Sequence, residues 1–217
     1  MKRILVIVAV EAERVALGAR CLAAPEVRVV VAGIGRTNAA AATAEALAEA
    51  RAAGAPFAAV ISTGIAGALP GSNLAIGTVI VAHACIYAEE GIALPEGQGD
   101  MRVLGFPLGD FEGNRVPVDG ALLVAFRALG PACEIATVAT CSGTDAAALS
   151  VRTRTGAMAE AMEGAAVVHA ARRVGVPAIE IRSISNTTGD RATQRWDIAA
   201  AFAALQGVGD ALVNFAR

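Results

Sequence analysis

Two polar clusters close apolar runs about twenty residues apart, Ala161-Met162-Glu163-Gly164 and Ile181-Arg182-Ser183-Ile184-Ser185-Asn186. In a parallel sheet, such strand ends hand their side chains to a cleft. Glu163 could accept hydrogen bonds from a diol. Asn186 could donate to and accept from a heterocycle with one amide. Arg182 could pair with a carboxylate and keep it ionised. Glu11 follows the first apolar run, Ile4-Leu5-Val6-Ile7-Val8-Ala9-Val10, and could take a proton from water. The alternative for Glu11 is a solvated acid in a first helical turn, where the helix dipole favours it. Two carboxylates at two strand ends of one sheet suggest a division of labour, one orienting water and the other holding a diol.

Other segments offer polar or backbone groups to the same rim. Thr63-Gly64-Ile65-Ala66-Gly67 reads as a glycine-rich corner where a flat ligand can approach the backbone. Thr140, Ser142 and Thr144 add hydroxyls. Gly33-Ile34-Gly35-Arg36-Thr37-Asn38 follows a strand and opens a helix, as a dinucleotide fingerprint does. Asn38 stands where the third glycine belongs, and the next strand ends in Ser62-Thr63-Gly64 without the expected acid. That argues against a nicotinamide cofactor, and no cofactor is expected. His83 and His169 have no partner at ligand spacing, so structural roles are expected and no metal site. Trp196 beside Asp197 reads as packing at a helix start.

These candidates need a scaffold that alternates strands with helices. Strands are expected at Lys2–Val10, Val27–Ala32, Phe57–Ser62, Gly77–Tyr87, Glu134–Thr140 and Pro177–Ser185, with a short one ending at Glu160–Glu163. Helices are expected at Glu11–Leu22, Thr37–Ala53, Asp119–Leu129 and Gly164–Val174. Ser142–Asp145 opens another short one, and Asp197 caps a last one. Gly91–Pro117 is rich in Gly and Pro and reads as an excursion, either a lid or an interface arm. Continuous apolar strands alternating with helices imply a mostly parallel sheet covered on both faces. The expectation is one α/β domain over residues 1–217, three-layered α/β/α around a mixed, mostly parallel sheet.

Composition narrows the function classes. Of 217 residues, 55% are hydrophobic and 18% charged, ample for a core and unlike a disordered chain. Eighteen basic against twenty acidic residues, with no basic stripe, argue against nucleic acid as partner. No run approaches the roughly 20 apolar residues of a membrane span, and the short first run lacks a credible cleavage site. The four cysteines lie far apart without a C-x-x-C pair, as buried thiols in a reducing cytoplasm do.

Taken in order, the motifs resemble the nucleoside phosphorylase and nucleosidase superfamily along the whole chain. Val8-Ala9-Val10-Glu11-Ala12-Glu13 resembles its first strand with the hydrolase glutamate. Gly33–Ala40 and Ser62–Gly67 resemble its second and third loops, Met162-Glu163-Gly164 its ribose-binding Met-Glu, and Arg182–Asn186 its purine-site strand. The resemblance implies a nucleosidase with catalytic Glu11, Glu163 and Asn186. It implies substrate contacts from Gly64, Ile65, Ala66, Gly67, Met162, Arg182 and Ser185. A small-molecule nucleoside as partner and a homodimer or higher homo-oligomer follow from it too. Adenine-specific members carry aspartate where this chain has Asn186, and tend to have glutamate where it has Ala161. The amide suits a 6-oxopurine. The rival readings are a methylthioadenosine/S-adenosylhomocysteine nucleosidase, a purine nucleoside phosphorylase, and a nucleoside-binding protein without catalysis.

Overall fold

The computed structural model describes residues 1–217. The strands are β1 (Ile4–Val8), β2 (Val27–Val31), β3 (Ala59–Ala68), β4 (Val79–Tyr87), β5 (Ile92–Leu94), β6 (Gly97–Gly99), β7 (Arg115–Pro117), β8 (Ala132–Thr137), β9 (Ala159–Ala161) and β10 (Ala178–Thr187). The helices are α1 (Glu11–Ala16), α2 (Gly18–Leu22), α3 (Arg36–Ala52), α4 (Met101–Leu104), α5 (Gly120–Phe126), α6 (Asp145–Thr155), α7 (Gly164–Arg173) and α8 (Ile198–Ala216), with a 3₁₀ turn at Arg127–Leu129.

A run such as β1, apolar at every position, must be buried on both faces. Ile4, Val6 and Val8 pack into one cluster with Leu205, Val208 and Leu212 of α8. Leu5 and Ile7 pack into the other, with Leu47 of α3 and Val167 of α7. Helices therefore cover the two faces of one sheet. The sheet is mixed. β1 pairs in parallel with β2 and β3, β3 with β10, and β8 with both β4 and β9. β10–β4, β3–β9 and β4–β7 are antiparallel. Because β10 touches both β3 and β4, and β9 touches both β8 and β3, these five strands close on themselves. β1 and β2 extend from the closed part as a wing.

The expected elements are present, with three differences. The helix expected over Glu11–Leu22 breaks in two, because Gly18 takes a left-handed φ of 83°. The expected corner Thr63–Gly67 is part of β3, which runs on to Ala68 and is held by β10 throughout. The Gly91–Pro117 excursion carries the β5–β6 hairpin, α4 and β7. Asn114 ties it down by donating to the carbonyls of Tyr87 and Glu90, each at 2.8 Å. α8 begins where Asp197 accepts from Ala200 N at 2.8 Å. By length and composition α8 could cross a membrane, but Ala201, Leu205, Val208, Leu212, Val213 and Ala216 are fully buried in the core.

Candidate active site

The centre of the site is where β3 and β10 run side by side. Their register sets Glu180 beside Ser62, Arg182 beside Gly64 and Asn186 beside Gly67. Paired residues on neighbouring strands share a face, so Glu180, Arg182, Ser62 and the bare surface at Gly64 lie together. Arg182, 1% exposed, crosses that bare surface. Its Nε donates to Glu180 Oε1 at 2.8 Å. Its Nη2 donates to Glu163 Oε2 at 3.2 Å and to Ser62 Oγ at 3.3 Å. Burial alone would lower the pKa of the guanidinium. Glu180 first, then Glu163 and Glu13, hold it above its ordinary value, so it is charged.

Glu163 is the N-cap residue of α7, yet its side chain makes no capping bond. It turns instead to the loop before α3, where Gly35 N donates to Oε1 at 2.9 Å. Gly35 can present that N–H because its φ of 94° is one a side chain would resist. Glu13 comes from the first turn of α1. Its Oε2 accepts from Ala9 N at 2.8 Å and Val10 N at 3.3 Å, and its Oε1 accepts from Ile65 N at 2.9 Å. A glutamate at the third helical position commonly reaches back to the N-cap N–H. Here that reach puts a carboxylate against Gly64, where an added Cβ would lie 2.6 Å from Glu13 Cδ and 2.8 Å from Arg182 Nη1. The missing side chain is the seat of both.

Further along the same strands the groups become neutral. A bulge between Ile184 and Asn186 redirects β10. Ser185 Oγ donates to Asn186 Oδ1 at 2.8 Å, and Asn186 Nδ2 donates to Thr187 O at 2.9 Å. On the far side of Gly67, β9 places Glu160 in register. Buried Glu160 accepts from Ser142 N at 2.8 Å and Ser142 Oγ at 2.6 Å. Burial raises its pKa against those two bonds. Gln194 Nε2 donates to Ser142 O at 3.0 Å, so the segment after Asn186 and the segment before α6 close over this end together.

Of the residues expected from the sequence, Glu163, Arg182, Gly64 and Ile65 meet in one cluster. Ala66, Gly67, Ser185 and Asn186 follow directly on β3 and β10. Met162 packs toward a small apolar cluster that includes Ala148 and Val151 of α6. Glu11 does not join them. Its side chain is 61% exposed and paired with Arg14 at 2.7 Å, a contact that holds its carboxyl below the usual range. The carboxylate that α1 contributes to the cleft is Glu13, 3% exposed. An acid at the first helical position points outward, whereas one at the third reaches back over the strand end. That positional signal is available in the sequence. Glu160 and Glu180 went unread. Glu180 carries a signal in the sequence, since it stands two residues before Arg182 and so on the same strand face, whereas the partner of Glu160, Ser142, lies 18 residues away. His169 packs edge-on against Phe111 and Tyr87, and His83 faces Glu134 at 3.6 Å, both away from the cluster.

The fold and this cluster define a member of the phosphorylase superfamily, whose family model matches residues 9–214. The chain is 36% identical over 181 residues to a futalosine hydrolase of Streptomyces coelicolor, covering 82% of this chain and 74% of that one. It is likewise 36% identical over 180 residues to a futalosine hydrolase of Thermus thermophilus, covering 80% and 75%. Within the superfamily, the chain belongs to the futalosine hydrolase family. Met162-Glu163-Gly164, Ser185-Asn186 and Gly189-Asp190-Arg191 ahead of Trp196 carry the same resemblance. A 5′-methylthioadenosine/S-adenosylhomocysteine nucleosidase from Neisseria meningitidis, solved in complex with methylthio-immucillin-A, shares the fold. Its TM-score is 0.78 at 22% identity, over 99% of this chain and 100% of that one.

Proposed function

We propose that this chain hydrolyses the N-glycosidic bond of futalosine, releasing hypoxanthine and dehypoxanthine futalosine within menaquinone biosynthesis. The observation that carries the reading is the pairing of Glu13 and Glu163 around Arg182, with the amide of Asn186 beyond them on the same strand. Departure of a purine leaves a cationic, oxocarbenium-like sugar. Glu163 accepts from the ribose hydroxyls and places negative charge against that cation, and Met162 packs against the ribose. Glu13 takes the role expected of Glu11: it orients water and accepts its proton. Arg182 holds Glu163 in place.

Asn186 reads the base. A side-chain amide has two donor hydrogens and two acceptor lone pairs. Ser185 takes one lone pair and Thr187 O one hydrogen. One donor and one acceptor remain. A 6-oxopurine offers O6 or N7 as acceptor and a ring N–H as donor, which match them. Adenine has an amino donor in place of O6 and no ring N–H at N1, so the same amide is left mismatched.

Water, not phosphate, is the acceptor. Phosphorolysis requires free positive charge beside the sugar, and Arg36 in the glycine-rich loop is engaged by Glu90 at 2.6 Å and Glu89 at 3.3 Å. For the 5′ substituent, Arg102 is occupied by Asp100 and Arg115 by Glu134, whereas Arg191 and Arg195 lie in the segment after Asn186 without an acidic partner. The reading takes residues 1–217 as one three-layer domain, supported by two core clusters that share the strands of one sheet. It assigns the chain to a cytoplasmic homodimer or larger homo-oligomer, with Gly91–Pro117 a candidate for the contact or else a lid. The test is incubation with futalosine, inosine, methylthioadenosine and aminodeoxyfutalosine, with and without phosphate, followed by identification of base and sugar. Hypoxanthine and a free sugar from futalosine in phosphate-free buffer are expected. Strict phosphate dependence, or adenine as the preferred base, would refute the assignment.

A further inference from the structure

Glu180 is the acid of the cluster with no part in the mechanism above. It is 0% exposed, and while Oε1 accepts from Arg182 Nε, Oε2 has no N–H or O–H donor, the only other donor at the carboxyl being the weak Cys85 thiol. Leaving a buried carboxyl oxygen unpaired is costly, so an acid kept here needs a reason. Its room comes from Gly164. A Cβ at that position would fall well inside van der Waals contact of the Glu180 carboxyl. Glycine is a poor residue for the first turn of a helix such as α7, and its φ here is not left-handed. An acid inside an apolar strand and a glycine at a helix start are, in space, one feature.

The guanidinium explains what that feature does. Nε goes to Glu180, Nη2 to Glu163 and Ser62, and Nη1 to the carbonyl of Ile65 beside Glu13. A planar fork with Nε held fixes the direction of both Nη groups. A negative charge on the Nε side also draws the arginine's positive charge away from Glu163. Resting on the proposed hydrolysis, we infer that Glu180 is a positioning residue seated by Gly164. It aims Arg182 at Glu163 and offsets its charge, so that Glu163 meets the sugar cation as an uncompensated anion. The other titratable groups facing Glu180 are Cys85 of β4, Cys133 of β8 and, across Arg182, Glu13 and Glu163. Burial chiefly raises both thiols, so they stay neutral; burial also raises the Glu180 carboxyl, and Arg182, bonded to it at 2.8 Å, is the charge that opposes this, so the charge on Glu180 rests on that pair.

The test uses the full chain and futalosine. Glu180→Gln keeps an acceptor for Nε and nearly the same volume while removing the charge. We expect kcat to fall about 10-fold or more with KM changed less than about 3-fold, the pattern of an interaction made in the transition state. The acid limb of the pH profile should move to lower pH, because Arg182 then bears wholly on Glu163 and Glu13. Glu180→Asp, which restores the charge, should recover part of the loss. A folded Glu180→Gln with native kcat and an unmoved acid limb would overturn the inference. If Glu180→Gln does not fold, Gly164→Ala decides, since it displaces the carboxyl from Nε without removing it; native kcat in that folded variant would equally overturn it. Wild-type protein that releases no base from futalosine would instead bring down the functional reading, and this inference with it.

Discussion

Replacing Glu13 and Glu11 separately with glutamine distinguishes their roles, and the structure sets the size of each effect. Glu13 accepts three backbone N–H groups, from Ala9, Val10 and Ile65. A glutamine can turn its oxygen toward Ala9 and Val10 and keep those bonds, but its NH₂ then faces the N–H of Ile65. One buried donor is left unpaired, at about 1–3 kcal/mol. In a chain of this length that corresponds to a melting temperature lower by about 2–12 °C, so the protein remains folded at 25 °C. Turnover should suffer far more. An amide cannot take a proton from water, and a general base contributes roughly 10²–10⁴-fold, or about 2.7–5.4 kcal/mol of barrier. Glu11→Gln removes only an exposed contact with Arg14 and should leave both melting and turnover unchanged. The assay is hypoxanthine release from futalosine, resolved by chromatography, beside a thermal melt of each variant. A folded Glu13→Gln within a few-fold of wild-type kcat would refute the assignment of the base. Loss of turnover in a folded Glu11→Gln would return the role to Glu11.

Glu163→Gln should lose roughly 10²-fold or more in kcat/KM on ribonucleosides, the scale of a single electrostatic contribution to a transition state; near-normal kinetics would remove Glu163 from the site. Asn186→Asp should shift the ratio of kcat/KM for futalosine over aminodeoxyfutalosine toward the 6-amino compound, because a protonated carboxyl can donate to N7 while its ionised form is unmatched to O6. An unchanged ratio would mean that Asn186 does not read the base. Burial lifts the Glu160 carboxyl above its ordinary 4.5. The folded protein then binds more protons than the unfolded chain above that value, so this stabilising contribution is full at lower pH and fades as pH rises through the folded pKa. Melting temperatures measured across that range should fall less steeply for Glu160→Gln than for wild type, and parallel curves would contradict the shift.

The order of strands and helices was legible because it rests on local rules. Fully apolar runs such as Ile4–Val8 must be buried on both sides, and Asp119, Thr144 and Asp197 cap helices wherever their chain neighbours lie. Glu163, Arg182 and Asn186 were legible as polar residues ending such runs. Which acid of α1 turns inward was a question of a single helical turn. It was decided when the bare surface at Gly64 on β3 received Glu13 and left Glu11 in solvent. The closure of β3, β10, β4, β8 and β9 on themselves, and the seating of Glu180 against Gly164, join residues distant in sequence. No local pattern encodes such pairings, because two side chains exclude or accommodate each other only after register and crossover have set their strands and helices together.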